Sequence, residues 1–441
     1  MNESSSEWSA QDLGQIAAHG LSLGEIERQL AIFRQGVKPV RLNRPGRSGD
    51  GIVVISETER QDLLESYEKA CRTRRLLKFV PASGAASRMF IGWHRCLDAG
   101  AFPGEGERDF FARHLSEYAF FPDLQEICAS QGLDVNALLA GGKETTLIRF
   151  ILGPEGLNYG FLPKALLKFH AYPDGSRTAL EEHLVEAALY ARDAQNVSRL
   201  HFTVSPEHEA SVRALLARVV QDYQARLHTA FEIGISAQAP ETDTIAVDPS
   251  LHPFRTEEGK LVFRPGGHGS LLDNLNLLDE EVIFLKNIDN IVPDPLKEEM
   301  VLWKKLLAGY LLRLQERIFG CVRILGEGGI AEKDLEQICG FVQREVNIDL
   351  RPAFWDLPLS ERRDLLLGWL NRPIRVCGMV KNEGEPGGGP FWVDDPDGNG
   401  GASLQIVEES QIDRSDPDQR AIWTSATHFN PVDIVCGVRD F

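Results

Sequence analysis

The sequence lacks a basic run, a long apolar run and any close pair of cysteines, and each absence excludes something. With 47 Lys and Arg against 65 Asp and Glu, the formal net charge is −18. No basic run offsets that field, so nucleic acid is not an expected partner. No stretch approaches the roughly 18 consecutive apolar residues that a membrane-spanning helix needs, so a membrane is not expected either. The first residues, MNESSSEWSAQDLGQ, are polar and acidic with no apolar h-region. No secretory leader is read there. The seven cysteines are scattered and never spaced CxxC, which suits reduced thiols in a cytoplasm and argues against a zinc site. The expected localisation is cytoplasmic. An anionic ligand would need a locally positive pocket, so Arg and Lys beside glycine carry more information than the total charge.

What is present is an alternation. LGEIERQLAIF and ETERQDLLESYEKACRTRR place apolar residues at helical spacing, with NRPGRSGDG between them as a loop. LLKFVPA (76–82) reads as a buried strand, and residues 90–150 as a mostly helical insertion. From Pro163 the chain reads strand ALLKFHAY, helix TALEEHLVEAALYAR with Thr178 as N-cap, and strand SRLHFTVS. Helix EHEASVRALLARVVQDYQARL, strand AFEIGISAQ, strand KLVFRPGG, short helix HGSLLDNLNLL and strand EVIFLKNID follow. Strands alternating with helices of this length predict a parallel α/β sheet with ligands at the carboxyl ends of strands. Residues 295–370 return to helix, and strands resume from Ile374, interrupted by KNEGEPGGGP and DDPDGNGGA.

Two turns stand out. In FVPASGAASRMF (79–90) an apolar strand runs into small residues and then Arg88. Small residues let backbone close on a ligand, and arginine suggests that the ligand is anionic; an ordinary strand-to-helix turn is the alternative. FRPGGHGSLLDNL (263–275) is a strand, a glycine turn and a helix start, where backbone N–H groups at Gly266, Gly267 and Gly269 face outward. The strand at 282–288 then delivers Lys286, Asn287, Asp289 and Asn290. A carboxylate beside a glycine-rich anion cradle suits Mg²⁺ bridging phosphates; capping the next turn is the other reading of Asp289.

Taken in order, these motifs resemble the UDP-sugar pyrophosphorylase group of nucleotidyltransferases, especially the UDP-N-acetylhexosamine pyrophosphorylases, by way of an uncharacterised bacterial family. Ser83-Gly84-Ala85-Ala86-Ser87-Arg88-Met89 resembles the group's G-G-x-G-T-R loop, which ends in Leu or Met. LPKALLKFH resembles its P-K-x-L segment and puts Lys164 on the phosphate-binding lysine. PGGHGSLLDNL is similar to the uridine-side stretch, and KNIDNIVPDP to the V-D-N region. VCGMVKN with LQIVEESQI resembles the sugar-side segment and aligns Glu408 with its sugar-binding glutamate. Two glycines of the group are Ser83 and Ala86 here, which narrows how closely the loop can approach phosphates. A tyrosine of the group is Glu409, and VDIVCGVRDF ends where the group continues, so a further C-terminal segment is expected.

The resemblance implies a three-layer α/β/α, GT-A-like and Rossmann-like core at 76–325 with the insertion near 90–150. A helical N-terminal region (1–75) and a helical, then β-rich sugar-side region (326–441) flank it. It implies an enzyme that joins an NTP, UTP above others, to a sugar 1-phosphate with Mg²⁺ as cofactor, releasing pyrophosphate. Arg88 would hold the departing phosphates, Lys164 the α- or attacking phosphate, and Asp289 the metal. Asp433 in HFNPVDIVC is the candidate second ligand, with Asn430 in reserve. Ser83, Gly84, Ala85, Ser87, Gln238, Gly267 and His268 are expected to contact the nucleotide. A glycosyltransferase on a similar fold and a non-catalytic nucleotide-sugar-binding protein remain alternatives. DDPDGNG starts like a calcium loop, but Ile406 stands where Glu should close it. The helix EEMVLWKKLLAGYLLRLQERIF carries a wide apolar face and reads as core packing.

Overall fold

The computed structural model describes residues 8–84, 86, 89–385, 387–394 and 401–440, and of His268 the backbone alone. Its centre is a six-stranded sheet of β1 (Leu76–Pro81), β2 (Val197–Val204), β3 (Ala230–Ala237), β4 (Val282–Lys286), β5 (Ile374–Cys377) and β6 (Asp433–Gly437). The strand order is β5-β6-β4-β1-β2-β3. The run LLKFVP forms a central parallel strand buried on both faces, as continuous apolar runs do. Four strands (β4, β1, β2, β3) are parallel. The other two correct the all-parallel expectation: β6 runs antiparallel to β4, pairing Asp433 with Lys286, and β5 runs antiparallel to β6. The chain is mixed α/β, and its sheet draws strands from both sides of residue 326.

Four helices cover one face: α1 (Glu57–Thr73), α2 (Ala179–Tyr190), α3 (Pro206–Leu227) and α4 (Lys297–Gly326). Thr178 caps α2 through a capping box with Glu181. Leu180, Leu184, Phe202, Phe284 and Leu311 meet in the core beneath them. The opposite face is thinner. Leu77, Phe79, Ile283 and Cys436 pack there against Leu271 and Leu275 of the short helix Leu271–Asn276. The insertion folds around its own core of Phe111, Leu124, Leu147 and Ile151.

Three expected elements differ. Overlapping the start of NRPGRSGDG, read as a loop, Leu42–Pro45 is a strand paired with Gly389–Val393, which also pairs with Ser403–Val407. Its partner lies some 350 residues away in sequence, so no local pattern marks it. ALLKFHAY supplies Lys168–Tyr172, which among the described residues pairs only with Gly175–Thr178. The intervening Pro173-Asp174 turn gives it a local antiparallel partner and keeps it out of the main sheet. KLVFRPGG contributes the two-residue strand Phe263–Arg264, paired with Thr244–Ile245, and a single bridge from Leu261 to Arg255; Pro265 and the glycines end the ladder.

Candidate active site

The ends of β1, β2, β3 and β4 and the start of β6 all reach one end of the sheet, the edge where ligands collect in open α/β sheets. β1 stops at Pro81, and the turn that follows is tied down from two sides. Ser205, just after β2, donates its hydroxyl to the Ser83 carbonyl at 3.2 Å. The Lys164 backbone N–H donates to the Gly84 carbonyl at 3.2 Å. Gly84 is exposed, Ser83 half-buried and Ala86 buried. Ala85, Ser87 and Arg88 lie outside the described residues.

Lys164 opens a single 3₁₀ turn, Lys164–Leu166, and its Nζ donates to Asp289 Oδ2 at 2.6 Å. Asp289 follows β4 and is bracketed by two anchors. His183 of α2 donates from Nε2 to the Ile288 carbonyl at 3.1 Å, in the neutral form that burial enforces by holding its pKa well below the usual value. Asn290 Nδ2 donates to the Pro431 carbonyl at 2.7 Å. The Asp289 carboxylate is therefore presented from a fixed backbone.

Asp433 begins β6 opposite Lys286, and its carboxylate is bound by Lys304 of α4. The preceding turn is strained: Val432 has φ 56°, a left-handed conformation that a β-branched residue rarely adopts. Asn430 holds that turn, donating from Nδ2 to the Gly378 carbonyl at 2.7 Å and accepting the Val432 N–H at 3.0 Å. Both polar ends of Asn430 are thus engaged in structure.

Beneath this corner lies a cluster that sequence reasoning missed. Lys78 of β1, Lys286 of β4 and Lys304 of α4 are buried together with Glu186 of α2. Burial and the neighbouring Lys286 push the Lys78 pKa down to about 7, against the pull of Glu186. Burial would raise Glu186, but Lys78 and Lys286 outweigh it and hold its carboxyl well below the usual range. Burial, then Lys286, drives Lys304 well down. The available signal was a lysine inside each of three apolar segments.

On the β3 side, Gln238 Nε2 reaches Thr242 Oγ1 at 3.4 Å and the Gly266 carbonyl at 3.5 Å, joining the strand end to the glycine turn. A Cβ on Gly266 would stand 2.6 Å from the Thr242 carbonyl, so only glycine fits; one on Gly267 would meet open space. The backbone of His268 begins the 3₁₀ turn His268–Ser270. Asn274 donates to Ser236 Oγ at 2.8 Å and to the Ala237 carbonyl at 2.9 Å. Its Oδ1, and Thr203 Oγ1, are buried without a partner among the described residues. Glu408 is exposed on the small sheet's far end, where its side chain accepts from the Gln411 N–H in a capping box.

The corner therefore brings together Ser83, Gly84, Lys164 and Asp289, with Asp433 on the adjoining strand. Such an arrangement can bind anionic oxygens through lysine and backbone N–H groups while a carboxylate stands beside them. A cavity of about 1240 Å³ lies elsewhere, along α4 and β5, and of the sequence-predicted site residues only Asp433 lines it. Strand-end convergence, not cavity size, places the candidate site.

Among solved structures, the chain is similar to a uridine diphosphate N-acetylglucosamine pyrophosphorylase from Trypanosoma brucei in complex with an inhibitor, at 11% identity and TM-score 0.43, covering 94% of this chain and 57% of that one. A UDP-glucose pyrophosphorylase mutant from Leishmania major in complex with UDP-glucose matches at 12% identity and TM-score 0.40, covering 98% and 64%. A UDP-glucose phosphorylase from Trypanosoma brucei matches at 12% and 0.39, covering 97% and 62%. The chain thus spans less than two thirds of the length of each of these structures. No curated protein matches it in sequence. The model of one family matches residues 9–441, nearly the whole length, and the chain belongs to that family, described as Domain of unknown function (DUF4301).

Proposed function

We propose that this protein is a nucleotidyltransferase that joins an NTP to a sugar 1-phosphate, with UTP the favoured nucleotide and a UDP-sugar the product. The observation that carries the reading is the Lys164–Asp289 pair beside the Gly84 turn. Two side chains 125 residues apart in sequence meet at 2.6 Å at the carboxyl edge of the sheet, in the order of motifs that resembles UDP-sugar pyrophosphorylases. The finer architecture, a GT-A-like three-layer core, belongs to the same reading.

In this reading a phosphate oxygen of the sugar 1-phosphate attacks the α-phosphorus. The bond from that phosphorus to the β-phosphate bridging oxygen breaks, and pyrophosphate leaves. Rate comes mainly from positioning and charge neutralisation. Lys164 Nζ exchanges Asp289 for the α- or attacking phosphate, while Arg88 holds the leaving phosphates. N–H groups of the Gly84 and Gly267 turns cradle the chain of oxygens, Gln238 and His268 contact the nucleotide, and Glu408 accepts from sugar hydroxyls.

Among the described residues no group of three or more His, Cys, Asp or Glu is arranged to hold a metal. Mg²⁺ takes one or two carboxylates and completes its shell with phosphate and water. Asp289 would supply the first carboxylate and Asp433, once released by Lys304, the second. Bound there, Mg²⁺ would neutralise charge on the phosphates.

The test is pyrophosphate release from UTP with a panel of sugar 1-phosphates. Release with at least one of them supports the reading. Transfer of sugar from a UDP-sugar without pyrophosphate would make the protein a glycosyltransferase, and tight binding of a UDP-sugar with no turnover would make it a binding protein.

A further inference from the structure

The groove of about 1240 Å³ is larger than the 300–1,000 Å³ typical of small-molecule sites and has a directional lining. One wall is a single stripe of α4: Met300, Trp303, Leu307, Tyr310, Leu314 and Ile318. At 1.5 Å per residue it runs about 27 Å. The opposite wall includes Val53 and Val54, 46% and 67% exposed, with Ile348 and Leu404. The aromatic residues along α4 already carry polar contacts. Trp303 Nε1 donates to Glu299 at 2.7 Å, and the guanidinium groups of Arg60 and Arg313 lie over the Trp303 and Tyr310 rings.

The carboxylates that line the groove are already paired, Glu345 with Arg317, Asp394 with Arg351 and Asp433 with Lys304, whereas two lining arginines stand where β5 begins. Arg372 donates from Nε to the Trp369 carbonyl at 2.6 Å, and Arg375 from NH2 to Gln405 Oε1 at 3.1 Å. Neither guanidinium has a carboxylate partner among the described residues, in a chain of net charge −18. A long apolar trough ending in two cations that lack anions is complementary to one kind of molecule. We propose that this groove binds a long-chain acyl carboxylate, its chain along the α4 stripe and its carboxylate on Arg372 and Arg375. The groove adjoins the nucleotide corner at Gly378, Pro431 and Asp433, and Met379, Val380 and Lys381 of the VCGMVKN segment also line it.

The test titrates the full-length protein with cis-parinarate, a fluorescent 18-carbon carboxylate, and with its methyl ester. One saturable equivalent of the acid is expected, with the ester bound at least tenfold more weakly, since a charge-assisted contact is lost. The double variant Arg372→Gln/Arg375→Gln, changed only at the exposed rim, should bind the acid as weakly as the ester. Leu307→Trp, which fills the trough, should abolish binding, and laurate should displace the probe. The proposal is overturned by absence of saturable binding, by several equivalents insensitive to the arginine changes, or by equal affinity for acid and ester. Displacement by a peptide of alternating Val and Asp but not by laurate would mark a peptide groove and overturn it too. Displacement by Mg-UTP would fold the groove into the nucleotide site and also overturn it, whereas UTP turnover or its absence bears only on the proposed activity.

Discussion

Lys78 and Lys286 stand on neighbouring strands and close on one carboxylate: Lys78 Nζ lies 2.7 Å from Glu186 Oε2, and Lys286 Nζ 2.8 Å from Glu186 Oε1. Both lysines and Glu186 are almost wholly buried, so neither cation can turn to water if Glu186 is lost. Glu186→Leu should therefore destabilise the fold by about 3–5 kcal/mol in urea titrations, the cost of an unpaired buried charge.

The same cluster sets a pH dependence. The folded-state pKa of Lys78 is lowered to about 7 from 10.5, so between those values the unfolded chain binds more protons. Stability must then rise with pH from about 7 upward. Unfolding free energies of wild type and Lys78→Met should diverge between pH 7 and 9, the wild type gaining roughly 2 kcal/mol more. Parallel profiles would mean Lys78 does not titrate in this range.

Asp289→Asn should abolish Mg²⁺-dependent turnover while leaving the melting temperature within a few degrees. The Lys164–Asp289 pair is partly exposed, with side chains 18% and 36% accessible, and such pairs contribute about 0–1 kcal/mol to stability. Turnover at the wild-type level under saturating Mg²⁺ would remove Asp289 from the metal site.

The glycine turn offers a matched pair of substitutions. Gly266→Ala drives a methyl to 2.6 Å from the Thr242 carbonyl, whereas Gly267→Ala enters open space. Gly266→Ala should lower stability by about 1–3 kcal/mol. Gly267→Ala should leave stability unchanged and weaken only nucleotide binding, measured by calorimetry, if backbone there approaches the ligand.

Val432 holds a backbone conformation that glycine adopts freely, at φ 56°. Val432→Gly should relieve about 1–2 kcal/mol of strain, offset in part by unfolded-state entropy. Thermal denaturation should show no loss of stability, while kcat falls if the strained turn aims Asp433.

Arg88→Ala should weaken UTP binding about tenfold or more, a loss of about 1.5–3 kcal/mol at an arginine–phosphate contact, and leave UDP-sugar binding much less affected. The product lacks the phosphates that leave as pyrophosphate. Equal losses for both ligands would return FVPASGAASRMF to an ordinary strand-to-helix turn.

By itself the sequence determined the local elements and the order of the motifs. The run LLKFVP, the Thr178 cap before α2 and the apolar spacing of α4 each answer to physics within a few residues, and the structure has them as read. The glycine at 266 was also legible as a special position, although its cause is the Thr242 carbonyl, which no local pattern displays. What only the tertiary structure decided are relations across long separations. Lys164 meets Asp289, and Lys304 meets Asp433, because the sheet brings strands from opposite ends of the chain to one edge. Leu42–Pro45 is a strand only because Gly389–Val393 lies beside it. A lysine in an apolar segment looks the same in sequence whether it reaches solvent or a buried carboxylate. Lys78, Lys286 and Lys304 became one cluster only when packing put Glu186 among them and removed the water that would otherwise have screened each charge.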